Sequence, residues 1–274
     1  MRHVVVRTLT ALFSAALIAG AAPPASAEAT GTQGCGRTTV VLVHGAWADA
    51  SSWSGEVAAL QRAGCRVRAV ANPVENLTTD SLYVADFLKS VPGPVVLVGH
   101  SYGGSVITNA AALVTNVRAL VYVDAAAPAP GETNGSLSGS DSVLSTMSAD
   151  ELFDTTAYPG APAGQQELYL KENIFLSHFG QDLPRPQARL LWASQRGAST
   201  EAFGTPSKYA AWKTIPSWYF ISSGDQIITP TSELAMAERA KSEVTWFDGG
   251  SHLTLISHPQ AVTAVINQAV RSVR

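Results

Sequence analysis

Strand-length apolar runs alternating with helical patterns predict an α/β fold, in which a six-stranded, mainly parallel sheet is covered by helices on both faces. Runs such as 95–98 are apolar along their length, as strands buried on both faces require. One of them leads through Gly99-His100-Ser101-Tyr102-Gly103 into a helical segment, so a serine is expected on a tight strand-to-helix turn.

The alternation begins with a run at 39–43 and a helical pattern at 51–62. It repeats at 67–71 with 80–89 and at 95–98 with 105–114. A fourth run, 119–123, is followed by a long interval, after which the pattern resumes with 218–222, 232–240, 244–247 and 259–273. The core is therefore expected in 28–127 and 212–274. The interval 128–211 mixes Gly/Ser-rich sequence at 135–148 with helical patterns around 165–179 and 186–195. Inserted after the strand ending near Val123, it is expected to form a cap over the strand ends. Phe153, Phe179 and Trp192 lie in it and are candidates to line whatever it covers, together with His44, Trp47 and Leu253 from the core.

The N-terminus carries Arg2, His3 and Arg7, an apolar run at 11–22, and then Ala25-Ser26-Ala27 after two prolines. That combination reads as a secretory signal, with cleavage expected near Ala27 and a mature protein outside the cytoplasm. The run is too short to serve as a stable membrane anchor. Net charge is −3 with no basic cluster, which argues against nucleic acid as a partner. Cys35 and Cys65 are the only cysteines, and in an exported chain they are expected to form a disulfide. No residue cluster has metal-ligand or cofactor-binding spacing, and oligomeric state is not legible.

A serine hydroxyl becomes a useful nucleophile only beside a base that is itself oriented by an acid. Six histidines make elimination feasible. His3 belongs to the signal, His100 adjoins the serine, His44 sits in a strand-ending turn, His178 in the insert and His258 at a helix start. His252 remains, on the Gly249-Gly250-Ser251 loop after the last strand. Asp225 follows the preceding strand and gives the chain order Ser, Asp, His; Asp124, at the end of the fourth strand, is the alternative acid. The N–H groups of Ala46, after the first strand, and Tyr102, after the serine, are the expected oxyanion donors.

The stretch Val41-Leu42-Val43-His44-Gly45-Ala46-Trp47, residues 96–104, Lys213-Thr214-Ile215-Pro216-Ser217-Trp218-Tyr219 and residues 249–252 together resemble small bacterial α/β-hydrolases related to plant methylesterases and hydroxynitrile lyases. The resemblance spans most of 39–270. It implies an α/β-hydrolase fold with a helical cap, no cofactor, and Ser101, Asp225 and His252 as catalytic residues, the segment 224–230 favouring Asp225 over Asp124. The lyases in this group place a lysine after the histidine, where Leu253 stands here, and many bacterial members have a small apolar residue in place of Asp124. Expected from this is a secreted carboxylic-ester hydrolase acting on a small-molecule ester through an acyl-enzyme on Ser101, with an apolar pocket under the cap. The alternatives are a carbon–carbon lyase on the same residues and a non-catalytic binding protein of the same fold. The acyl and alcohol preference, and the choice among ester, lactone, thioester and peracid chemistry, are not written in these residues.

Overall fold

Five parallel pairings join the six strands of the main sheet in the computed structural model, which describes residues 34–273; the signal-like segment lies outside the described residues. In chain order the first half comprises β1 (Thr39–Val43), α1 (Ser54–Arg62), β2 (Arg66–Val70), α2 (Leu77–Lys89), β3 (Val95–Ser101), α3 (Tyr102–Ala110) and β4 (Val117–Ala125). The segment after β4 holds β5 (Phe153–Thr156), β6 (Glu167–Leu170), α4 (Arg185–Ala193) and β7 (Ala198–Ser199). The chain then completes the main sheet with β8 (Ser217–Ser222), α5 (Pro230–Ala240), β9 (Glu243–Phe247) and α6 (Pro259–Ser272).

Strand order in the sheet is β2-β1-β3-β4-β8-β9. The chain lays β2 on one side of β1 and then crosses to lay β3 on the other, so the connections leaving β1 and β3 diverge. That divergence opens a crevice at their carboxyl ends, the place where parallel sheets hold their sites. β1 and β3 are buried at every position, which is why their sequences show no alternation. β3 extends past the apolar run to Ser101, because Gly99 and His100 remain paired with Tyr122 and Val123 of β4.

Local signals fix the helix ends. Asn76 caps α2 by accepting from Thr78 N–H, and α5 and α6 each start with proline at the first turn, where the missing N–H costs nothing. The segment between β4 and β8 departs from expectation. Residues 167–170 are a strand, not helix, and pair antiparallel with β5 and β7 in a second, three-stranded sheet. Strands of two to four residues are too short for a period-2 pattern to show in the sequence. Within the expected helical pattern at 165–179, helical turns begin only at Glu172.

Cys35 and Cys65 are disulfide-bonded, with Cα atoms 4.8 Å apart. Each precedes one of two neighbouring parallel strands, so the bridge ties the entries of β1 and β2. Closing a loop of 30 residues in the unfolded chain is worth about 3–4 kcal/mol in the chain-entropy account.

Glu56 on α1 is fully buried and neither carboxyl oxygen has a hydrogen-bond partner. Burial pushes its pKa from the ordinary 4.5 up to about 8. The folded state therefore holds a proton that the unfolded chain releases, and the associated stability, complete below pH 4.5, is lost as pH rises towards 8. Glu56→Gln mimics the neutral acid. It is expected to raise Tm at pH 8.5 by an amount corresponding to a few kcal/mol, and to change it little at pH 4.5; equal effects at both pH values in thermal melts would contradict a protonated Glu56.

Candidate active site

Ser101 ends β3 with φ 54° and ψ −125°, a left-handed conformation that a residue with a side chain adopts only when its surroundings enforce it. The flanking glycines make this geometry possible by letting backbones touch. A Cβ on Gly99 would stand 2.6 Å from Gly103 O, and one on Gly103 would stand 2.8 Å from His44 O. The turn is thereby wedged against the end of β1. Gly45 sits so close to the serine that a Cβ there would lie 2.5 Å from Ser101 Cβ.

The carboxyl end of the sheet brings two distant loops to this serine. His252 Nε2 lies 2.8 Å from Ser101 Oγ, and His252 Nδ1 lies 2.6 Å from Asp225 Oδ2, with both side chains fully buried. Asp225 Oδ1 also accepts the N–H groups of Ile227 at 2.7 Å and Ile228 at 3.2 Å. Burial is the larger influence and raises this carboxyl well above the ordinary carboxylate value, while the two backbone donors act against it. Three N–H donors around one carboxyl are the environment of an ionised carboxylate. Its presence fixes the proton of His252 on Nδ1 and leaves Nε2 free to accept from the hydroxyl. Burial pushes the imidazole down to about 3, so it rests neutral.

Tyr102 opens α3, and its N–H is one of the donors that a helix start leaves unpaired. Ala46 N–H, one residue past Gly45, also makes no hydrogen bond among those of the described residues. These two N–H groups lie on the turns after the neighbouring strands β1 and β3, one residue past Gly45 and one past Ser101.

A model described as the alpha/beta hydrolase family matches residues 40–265. The chain belongs to the alpha/beta hydrolase family. It is 37% identical over 107 residues to a carbendazim-hydrolysing esterase from Nocardioides, covering 34% of this chain and 44% of that one. It thus spans under half the length of that relative. It is also 25% identical over 248 residues to pheophorbidase from Raphanus sativus, covering 84% of this chain and 93% of that one. Among solved structures, a methylesterase from Arabidopsis superposes with a TM-score of 0.68 at 20% identity, over 85% of this chain and 99% of its own.

In this alpha/beta hydrolase the other expected pocket residues separate into two groups. Trp47 packs against Phe153 and Phe203 with ring centroids 5.6 and 5.3 Å apart, and meets Phe179 edge-on at 5.7 Å. Its Nε1–H is donated to Leu168 O of β6, which fastens the turn after β1 to the second sheet. Trp47 borders two cavities, one lined by Phe175, Phe179 and Leu253, the other by Phe153, Leu168 and Phe203. Ser101 itself is only 4% exposed. Two residues are corrected. His44 is fully buried, its Nδ1–H donating to Gly45 O and its Nε2 accepting Asn72 N–H, so it staples the β1 turn and faces no cavity. Burial holds it down to about 4, and hence neutral. Trp192 on α4 donates to Leu170 O and pins that helix to β6, lining neither cavity beside Trp47.

Asp124, the alternative acid, does not reach the imidazole. Its oxygens meet Ser222 N–H at 2.8 Å and Ser222 Oγ at 3.0 Å. With Asp225 and Glu233 it forms a buried group of three carboxyls whose oxygens lie within 4.8 Å of one another, the single such group with metal-ligand proximity among the described residues.

Sequence reading missed the contacts that hold the histidine loop. His100, beside the serine, places Nε2 2.8 Å from His252 O and therefore donates to it, its ring 4.8 Å from that of His252. Asp182 accepts Ser251 Oγ–H and Ser257 Oγ–H, each at 2.5 Å, while Gln181 Nε2 donates to Gly224 O at 2.8 Å. A single turn before α4 thus restrains both the acid and the base loop. The residues sit about 40 to 75 positions apart in the chain, and no local pattern announces them.

Proposed function

We propose that this protein is a secreted serine hydrolase of carboxylic esters, acting through an acyl-enzyme on Ser101. The observation that carries the reading is the 2.8 Å contact of His252 Nε2 with Ser101 Oγ, backed by Asp225 on Nδ1. Ser101 Oγ attacks the ester carbonyl as its proton passes to Nε2, and the carbonyl oxygen becomes an oxyanion between Ala46 N–H and Tyr102 N–H. Asp225 keeps the Nδ1 proton in place and offsets the imidazolium charge. Collapse of the tetrahedral species breaks the ester C–O bond, and Nε2–H protonates the departing alcohol. Water, giving its proton to the same nitrogen, then attacks the acyl carbon, and as the acyl C–Oγ bond breaks Nε2–H returns that proton to Ser101 Oγ and the acid is released.

The residues 128–211 act as a cap in this reading, and the ester group sits beside Trp47, Phe179 and Leu253. The aromatic packing around Trp47 favours an apolar or aromatic ester. Leu253 leaves no ammonium beside the reacting centre for an anionic carbon leaving group, which favours ester hydrolysis over carbon–carbon cleavage. Export is supported by the basic start, the apolar run and Ala25-Ser26-Ala27, together with the Cys35–Cys65 bridge.

p-Nitrophenyl esters from acetate to palmitate provide the test. The wild type is expected to turn over at least one of them, and Ser101→Ala to lose three or more orders of magnitude in kcat. Undiminished turnover by Ser101→Ala removes the serine from the mechanism; no turnover of any ester by the wild type favours ligand binding without catalysis.

Protonation of His252 removes the base, and burial disfavours the protonated form. The acid limb of kcat/KM is therefore expected below the ordinary imidazole value of 6.5, so that activity persists as pH falls through 6. A limb at or above 6.5, measured by pH-stat titration, contradicts the buried neutral base.

A further inference from the structure

Asp124 is an odd residue in its setting. It lies within β4 yet has φ 44°, and it is the extra residue where the β3–β4 register slips, since His100 pairs with Val123 and Ser101 with Ala125. Asp and Asn tolerate this left-handed bulge better than other side chains. The bulge sends the carboxyl to Ser222 at the end of β8, where a chain of hydroxyls begins.

That chain can be counted in protons. Thr254 Oγ1 lies 2.6 Å from Ser251 O, and because a carbonyl only accepts, the Thr254 hydroxyl proton is committed there. Ser222 Oγ lies 2.8 Å from Thr254 Oγ1, and with the threonine's proton already used, the Ser222 proton must fill this contact. The remaining contact, Asp124 Oδ2 to Ser222 Oγ at 3.0 Å, then has no hydroxyl proton left to bridge it. Three bonds need three protons, and two hydroxyls supply two. The third has one source, the Asp124 carboxyl. Its other oxygen, Oδ1, accepts Ser222 N–H at 2.8 Å, so one oxygen serves as acceptor and the other as donor.

We propose that Asp124 is a neutral carboxylic acid and a positioning residue, which orders the chain Asp124 to Ser222 to Thr254 to Ser251 O and so fixes the peptide plane that carries His252. This rests on the hydrolytic reading above. The peptide on the other side of His252 is held independently by His100. With both flanking carbonyls restrained, the ring has little freedom to leave Ser101, and a displacement of about 1 Å is enough to cost on the order of 100-fold in rate. An ionised Asp124 draws the Ser222 proton to itself, and the link to Thr254 or the one to Ser251 O is lost.

The surroundings agree. Burial is the largest influence raising the Asp124 pKa well above the ordinary carboxylate value, followed by the nearby charge of Asp225, and Asp182 acts in the same direction. Glu233 has no hydrogen-bond partner on either oxygen and is raised by burial and by the same two neighbours, Asp124 and Asp225. Of the three carboxyls only Asp225 is ringed by N–H donors. Burial raises all three carboxyls, and the donors around Asp225 favour that residue as the one to keep the negative charge beside the imidazole.

The experiment compares Asp124→Asn with Asp124→Ala. Asparagine can reproduce both bonds, its Oδ1 accepting Ser222 N–H and its Nδ2–H donating to Ser222 Oγ. It is expected to keep kcat within about threefold of wild type, whereas alanine lowers kcat about 10- to 100-fold with KM little changed. A folded Asp124→Asn that is as inactive as Ser101→Ala overturns the proposal, as does a folded Asp124→Ala with wild-type kcat. If Asp124→Ala does not fold, Thr254→Val breaks the chain at its far end and is expected to show the same fall in kcat; wild-type kcat there overturns the proposal. Infrared difference spectra of wild type and Asp124→Asn at neutral pH provide a readout independent of turnover. A protonated-carboxyl C=O band that disappears in the variant supports the neutral acid, and its absence from the wild type refutes it. Esterase activity that survives Ser101→Ala defeats the hydrolytic reading while leaving the infrared result to decide the proton.

Discussion

The left-handed backbone of Ser101 is the constraint on which the other features of the site depend. A strand that ended in ordinary geometry would bury its last side chain in the sheet or turn it towards a neighbouring helix. At φ 54° the chain reverses within one residue, β3 stops, α3 begins, and the hydroxyl faces the carboxyl edge of the sheet. Such strain costs on the order of 1–3 kcal/mol. It persists because Gly45, Gly99 and Gly103 allow β1, β3 and α3 to press together without side chains between them. The same closeness brings the turns carrying Ala46 and Tyr102 together, because Ala46 directly follows the glycine that approaches Ser101 and Tyr102 directly follows the serine.

Electrostatics follow from that geometry. Ser101 is nearly fully buried, and His252, Asp225, His100 and Asp124 are buried with it. Burial favours neutral forms, and both His100 and His252 are lowered by it. Burial raises Asp225 as well, but there the N–H groups of Ile227 and Ile228 and the His252 Nδ1 contact converge on the carboxyl and favour its charged form. Neighbouring polar groups work as a frame: His100 holds one carbonyl beside the His252 imidazole, the Thr254 hydroxyl holds the other, and Asp182 ties the loop to the turn before α4. The frame restrains the histidine without placing a second charge beside it.

The main sheet was legible because its central strands β1, β3 and β4 contain continuous apolar runs and most of its strands are followed by a helix with clear ends, and the serine because glycine spacing marks its turn. His252 and Asp225 could be reached by elimination and chain order, although nothing local gives their separation from Ser101. The small sheet β5-β6-β7 was not legible, since four residues such as Glu167 to Leu170 contain too little pattern to outweigh the helical composition around them. His44 was read as a pocket residue from its place after β1, but its ring turns to Asn72 N–H, a partner set by β2's connection and invisible in the strand's own sequence. The positioning contacts of His100, Asp182 and Asp124 share that character, because each is created by the sheet order and not by neighbours in the chain.

The central claim is that the strained hydroxyl of Ser101 is the group that forms a covalent bond with the substrate carbonyl. It is tested most directly by reacting the protein with an apolar p-nitrophenyl alkylphosphonate ester and mapping the adduct by peptide mass spectrometry. The account predicts release of one equivalent of p-nitrophenolate, a single phosphonyl adduct on the peptide containing Ser101, and loss of labelling in His252→Ala. An adduct confined to another residue, or full esterase activity after Ser101 is stoichiometrically labelled, would contradict it.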